Sequence, residues 1–277
     1  MKRRRGEIIT NRLVAALIWM IVLCVYLIPF YYVIINSLKT EEEAAVLSLS
    51  LPSPWRFDNF LVSFRDGQML RGLTNSLVIT CLAVFTVIAA SSLAAFYIQR
   101  SQTRAANFLY YFFVAGIALP ISIVTTFGML QSLQLLNTLI GAALIYSALR
   151  IPFVVFIYAG FFKTIPRELD EAAIIDGCGN LRLFSVIIMP LLKPITVTCI
   201  ILTAQYVWNR FDVILFFILS LSKYTLPLSI YNFAGMYSTK WNLIFAGSII
   251  TVLPILLLYL VGQKHIVSGL TAGALKG

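Results

Sequence analysis

The sequence predicts an all-α integral membrane protein of about six transmembrane helices. Three observations predict it: an apolar composition, uncharged runs of spanning length, and charge gathered on one side. Of 277 residues, 60% are hydrophobic and 12% charged, with a mean hydropathy of +0.91. A soluble domain carries about twice that share of charge. No water-facing surface of this size can be covered from such a composition, so a bilayer is the solvent for much of the chain.

A helix needs about 20 apolar residues to cross the hydrocarbon. Uncharged runs over 13–38, 72–99, 105–149 and 241–263 meet that length. The third holds one helix and the first half of another, separated by the polar cluster Gln131, Ser132, Gln134, Asn137 and Thr138, which marks a turn. The expected spans are 13–36, 74–99, 107–129, 138–162, 191–208 and 243–263, in a single domain over 1–277 with a loop over 163–190 and a tail over 264–277. Lys193 lies close enough to the end of the fifth span to snorkel. The apolar stretch 213–220 is too short to cross and is expected to dip into the membrane or lie at its edge. Pro120 and Pro254 give the third and sixth spans points of flexure.

Charge orients these spans. The side holding both termini, the 100–106 loop and the 163–190 loop carries thirteen Lys/Arg against five acids; the other side carries seven against six. The positive-inside rule therefore expects both termini and the long loop in the cytoplasm, with the protein in the cell membrane. This asymmetry accounts for the formal charge of +10 without nucleic acid. The run Leu13–Leu38 after Lys2-Arg3-Arg4-Arg5 and Arg12 exceeds a signal h-region and lacks a small-residue cleavage site, so it is expected to stay as an anchor. On the opposite side, Phe57, Phe60, Leu61 and Phe64 recur at helical spacing within the 39–71 loop, predicting a short amphipathic helix on the membrane surface.

Several chemistries find no footing. Cys24, Cys81, Cys178 and Cys199 have no paired spacing, so no disulfide is expected, and one histidine, His265, leaves no basis for a metal site or a catalytic triad. No phosphate-binding Gly-x-x-x-x-Gly-Lys-Ser/Thr loop occurs, so the chain is not expected to be an enzyme or to bind a cofactor. The spans hold no carboxylate of the kind that couples transport to protons or sodium.

The 163–190 loop is the most patterned segment. Pro166 suits a first helical position, and Glu168, Asp170 and Glu171 favour the dipole of the early turns. Leu169, Ala172 and Ala173 form a low-profile apolar face, while Gly177 and Gly179 stop the helix. A second helix is expected with Leu181, Phe184, Ile188 and Leu191 on one face, and Pro190 and Pro194 fix an elbow into the fifth span. Spacing alone leaves two readings open: a helix pressed into a groove of another protein, or a loop packed on its own helix ends.

Glu171-Ala172-Ala173-x-x-Asp176-Gly177, followed by Phe184, Ile187, Pro190 and Pro194, resembles the EAA loop of permease subunits in type I ATP-binding-cassette importers, whose fold is the MetI-like one. Asn75-Ser76-Leu77, Ala94-Ala95-Phe96, Pro152-Phe153, Ile165-Pro166 and Trp208-Asn209-x-Phe211 extend the resemblance over most of the chain, and the end, 269–277, resembles the maltose-permease-like carbohydrate branch. The resemblance implies a coupling helix near 167–177 that docks in a cleft of an ATPase, with Glu171, Ala172, Ala173, Asp176 and Gly177 at the contact. It also implies a second permease subunit, an ATPase dimer using ATP and magnesium, and an extracytoplasmic sugar-binding protein. The implied cargo is a sugar or oligosaccharide, or else a polyol or glycerol-phosphate-type solute. A stand-alone secondary transporter is the alternative from another class.

Arg150 is the one charge well inside a span, and with Tyr146 and Asn209 it is a candidate for the solute path. Sugar hydroxyls, an acid on a sister subunit and backbone carbonyls are the partners open to it. Tyr158 and Tyr206 offer further aromatic faces. Relatives of this family commonly carry Glu after the Trp-Asn pair, where this chain has Arg210, with Asp212 close by to replace the acid.

Overall fold

The computed structural model describes residues 2–235 and 238–274, so the last three positions of the expected tail lie outside the described residues. Its elements are helical throughout: α1 (Lys2–Ser37), α2 (Glu41–Ala45), α3 (Asp58–Asp66), α4 (Met69–Arg100), α5 (Arg104–Ile117), α6 (Ile123–Ser132), α7 (Leu139–Phe162) and α8 (Glu168–Ile175). There follow α9 (Asn180–Arg182), a π-helical run Leu183–Ile188, α10 (Met189–Leu191), α11 (Lys193–Asn209), α12 (Asp212–Phe217), α13 (Leu226–Ser229) and α14 (Trp241–Ala274). Among the described residues four helices are long and apolar enough to cross a membrane, and the bent pair Asn180–Leu191 with Lys193–Asn209 makes a fifth if it counts as one span. The expected span 107–129 is instead two short helices, α5 and α6, separated at 118–122. Pro120 accounts for the break: it offers no amide hydrogen to a helix and turns Leu119 away from helical geometry.

The chain forms two compact units. One comprises residues up to Met69 together with Ile230–Val252. Its α2 opens with a capping box, in which the Glu43 amide donates to Thr40 Oγ1 at 3.2 Å while the Glu43 carboxylate accepts from the Thr40 amide. Lys39 is fully buried, and its ammonium donates to Asn36 Oδ1, the Ser48 carbonyl and Ser48 Oγ at 3.1, 2.8 and 2.9 Å. Burial draws its pKa below that of a free lysine, against the pull of Glu43.

The predicted amphipathic helix is α3, arranged with its polar side inward. Phe57, Leu61 and Phe64 are exposed, while Asn59 and Ser63 are buried. Asn59 Nδ2 donates to the Ser37 and Lys39 carbonyls at 2.9 and 2.8 Å, and its Oδ1 accepts from Asn242 at 3.0 Å. Ser63 donates to the Leu243 carbonyl at 3.0 Å. The polar residues are therefore consumed in joining α3 to its own unit, which leaves the apolar ones exposed.

The second unit comprises Leu70–Ser229 and the chain from Leu253 on. Small residues let its helices approach closely. Ala83 on α4 and Ala142 and Ala143 on α7 are buried in one cluster, and Ala95 with Tyr158 and Phe162 in another. Half of the stretch 213–220, too short to cross a membrane, is packed inward: Val213, Ile214, Phe217 and Ile218 are buried in one cluster with Tyr146 and Leu228, while Leu215, Phe216 and Leu219 are exposed. The irregular chain after α12 has its backbone groups met by side chains. Asn75 donates to the Ser222 and Tyr224 carbonyls, Ser76 Oγ accepts from the Leu226 amide, and Asn137 Oδ1 accepts from the Leu219 and Ser220 amides.

The helical arm from Asn180 to Leu191 meets α11 at 78°, with Pro190 and Pro194 flanking the bend. Its buried residues are Leu183 and Ile188, whereas Leu181 and Leu191, expected on one face with Phe184 and Ile188, are exposed. The π-helical run explains the shift: its wider turn brings residues five apart, such as Leu183 and Ile188, onto one face.

Asn59→Ala removes three hydrogen bonds at a buried node and strands the Ser37 and Lys39 carbonyls. It is expected to destabilise the protein by about 2 kcal/mol or more, since each stranded group costs about 1–3 kcal/mol. Leu61→Ala, on the outward side of the same helix, is expected to stay within about 0.5 kcal/mol. Thermal unfolding in detergent measures both.

Candidate functional site

The two regions singled out by sequence are the loop around α8 and the polar strip along α7 and α11. α8 starts at Glu168 behind Arg167, whose carbonyl accepts the first helical bonds from the Asp170 and Glu171 amides. Pro166 therefore precedes the helix rather than opening it. At the other end the Cys178 amide donates to the Ala173 carbonyl and the Gly177 amide to the Ile174 carbonyl, both at 2.9 Å. With Gly177 at φ +80°, this is a Schellman stop, and a residue without Cβ adopts that left-handed position at least cost.

α8 is clamped on one side only. Asp170 is buried and ion-paired with Arg100 at the end of α4, with Nε–Oδ2 at 2.5 Å and Nη2–Oδ1 at 3.3 Å. Both side chains are shielded, at 14% and 11% exposure. Arg167 adds a hydrogen bond to the Gln99 carbonyl at 3.0 Å, and Ala173 packs into the cluster of Phe162, Leu183 and Ile188. Phe96 stands between, its ring 5.3 Å from Phe184 and 6.3 Å from Phe162. The opposite side is free. Leu169, Glu171, Ala172 and Asp176 are exposed, and Ile175 is 86% exposed. Of the five residues expected to meet a partner, Ala173 thus faces inward and the other four outward. Arg100 and Phe96 hold this helix, and sequence gave little notice of the former beyond its place at the end of an apolar run.

In the strip, Arg150 is half-buried. Its guanidinium carbon lies 4.1 Å from the Phe153 ring centroid and 4.9 Å from that of Tyr206, and its Nη2 donates to the Leu202 carbonyl at 3.4 Å. Tyr146 is buried and donates to the Arg210 carbonyl at 2.6 Å, so it positions Arg210. Tyr158 is likewise buried and bonds Thr196 Oγ1 at 2.9 Å. Asn209 is exposed at the end of α11. Arg210 pairs with Asp212 through both carboxylate oxygens and donates from Nη1 to the Tyr206 hydroxyl at 2.6 Å. That hydrogen-bonded pairing raises the Arg210 pKa and holds Asp212 below the usual carboxylate range. The pair is complete above the unfolded carboxylate pKa and is lost as pH falls through the lowered Asp212 value.

Among the described residues no group of three or more His, Cys, Asp or Glu could hold a metal ion. A cavity of about 750 Å³ opens between α4, α11 and the middle of α14, lined by Cys81, Phe85, Ile88, Ala204 and Ile255 among others. Its lining is almost wholly apolar.

A family model described as "Binding-protein-dependent transport system inner membrane component" matches residues 61–271. The chain is 34% identical to the probable starch degradation products transport system permease protein AmyC of Thermoanaerobacterium thermosulfurigenes, over 90% of this chain and 91% of that one. It is 33% identical to the melibiose/raffinose/stachyose import permease protein MelC of Bacillus subtilis (strain 168), over 93% and 94%. Among solved structures, a chain of a bacterial ABC transporter involved in import of the acidic polysaccharide alginate superposes with a TM-score of 0.79 at 21% identity, over 94% of this chain and 97% of that one.

Asp170→Asn leaves Arg100 shielded without its counter-charge, which costs about 3–5 kcal/mol for a buried pair. Amide exchange over 168–176 is expected to quicken at least about tenfold, the effect of ~1.4 kcal/mol. Arg100→Asp combined with Asp170→Arg is expected to recover much of the protection. Hydrogen exchange read by mass spectrometry distinguishes the variants.

Proposed function

The chain belongs to the family of binding-protein-dependent transport system inner membrane components, and on that premise we propose that it imports saccharides as one of two different permease subunits above a pair of ATPases. Both termini and the α8 loop face the cytoplasm in this reading, which the excess of Lys/Arg on that side supports. A binding protein delivers the solute from outside. ATP and magnesium belong to the partner ATPases. The names of AmyC and MelC support a saccharide cargo.

One observation carries the coupling role: α8 is fixed to the end of α4 on one side and open on the other. A helix free on every side would yield under load, and a helix buried on every side would have nothing to push against. Here the buried Arg100–Asp170 pair passes displacement of α8 to α4, and the Ala173 contact passes it to the arm leading to α11. The outer residues Leu169, Ala172 and Ile175 offer a small apolar face to an ATPase cleft, and Glu171 offers a charge to a basic group there. Gly177 turns the chain away at once, keeping the next segment clear of the cleft. Closure of the ATPases on ATP draws two such helices together and opens the path outward; hydrolysis returns it inward.

A mild-detergent pull-down of the chain from its native membrane is expected to recover an ATPase and a second permease. Recovery of the chain alone, with ATP-independent solute movement in vesicles, defeats the reading. Glu171→Lys and Gly177→Pro are expected to insert normally and to lower ATP-driven uptake at least about tenfold. Proline cannot adopt the left-handed φ of that position. Normal uptake by both variants defeats the coupling assignment.

A further inference from the structure

Two arginines of the second unit share one aromatic ring, and their charges are treated differently. Tyr206 has the Arg150 guanidinium carbon 4.9 Å and that of Arg210 5.1 Å from its ring centroid. Arg210 is neutralised by Asp212 and donates a hydrogen bond to the Tyr206 hydroxyl. Arg150 is held by Phe153, Tyr206 and one backbone carbonyl, and no carboxylate among the described residues pairs with it. Its Nε is shielded from solvent and makes no hydrogen bond.

Aromatic faces fix a guanidinium in place without cancelling its charge. A full positive charge inside a span costs several kcal/mol unless it faces water or an anion. The planar fork of donors that arginine presents matches the oxygens of a carboxylate, sulfonate or phosphate. A neutral sugar hydroxyl meets hydrogen-bonding needs but leaves that charge uncompensated. The ring contacts also bear on how a sugar would sit. The rings of Phe153 and Tyr206 are already engaged by guanidinium groups, so recognition here runs through charge more than through stacking. The Tyr206 hydroxyl accepts from Arg210 and keeps its own proton to donate, one helical turn from exposed Asn209 and beside half-buried Gln205.

Resting on the importer reading above, we infer that Arg150 is an oxyanion subsite on the solute path and that the cargo includes saccharides bearing an acidic group. Tyr206 and Phe153 are positioning residues for it. Arg210, spent on Asp212, sets the position of Tyr206.

The test uses vesicles holding the full importer, that is this chain, its second permease, the ATPases and the binding protein, with trigalacturonate and neutral galactotriose as probes. Wild type is expected to take up trigalacturonate in an ATP-dependent manner. Arg150→Gln is expected to lower the ratio of acidic to neutral uptake about tenfold, and Arg150→Lys to restore part of it. Uptake of galactotriose without trigalacturonate in wild type overturns the inference and leaves the importer reading standing. An unchanged ratio in Arg150→Gln also overturns it, and loss of the second permease from that variant in a pull-down assigns the charge to a subunit contact. If wild type moves neither probe, the saccharide reading falls and this inference with it.

Discussion

Hydrocarbon cannot hydrogen-bond, so every place where this backbone leaves the helix must be satisfied by the protein itself. Asparagine side chains meet that constraint again and again. In one unit Asn59 ties the chain after α1 to its neighbours, and Asn36 with Ser48 surrounds a buried lysine. In the other, Asn75 and Asn137 take up the carbonyls and amides of the chain that follows α12. Each carries an acceptor and a donor on a short stem, which is what a stretch of irregular backbone requires. The helices in between need no such help and are free to be built from alanine, serine and aliphatic residues packed closely.

The same scarcity of solvent governs charge. Three charges near the ends of helices are paired or capped: Arg100 with Asp170, Arg210 with Asp212, Lys39 by three oxygens. The first of these pairs does more than neutralise, because it joins a short loop helix to one of the longest helices in the chain. Without it α8 would rest on its alanine contact, the Arg167 hydrogen bond to the Gln99 carbonyl and its Gly177 stop.

Much of this was legible in the sequence. Apolar runs located α4, α7, the end of α1 and the start of α14 to within a turn or two, while α1 begins and α14 ends about three turns beyond the expected spans, and Gly177 announced the helix stop through its lack of Cβ. The α5–α6 break was signalled only as a proline, since sequence does not say whether a proline bends a helix or divides it. The grouping of Leu181, Phe184, Ile188 and Leu191 on one face of the arm before α11 does not hold, because a 3.6-residue period does not apply to a π-helical run. The inward turn of Asn59 and Ser63 on α3 inverts the rule for surface helices, and only their partners in the same unit reveal why. Of the strip on α7 and α11, the sequence identified Arg150 and Tyr146 but not that one faces aromatic rings and the other a carbonyl. Side chains 50 to 70 positions apart leave no periodic trace of their meeting.

The 78° elbow at Leu192 also sets a mechanical ratio. α11 runs 17 residues beyond it, a rod of about 25 Å at 1.5 Å per residue. A swing of only about 10° at the elbow carries the far end through roughly 4 Å, about the thickness of a sugar ring or a closed pore. The arm on the near side is roughly two-thirds as long, so the joint trades a short, stiff stroke at one end for a longer excursion at the other. The chain is geared, and its gearing is written in two prolines four residues apart.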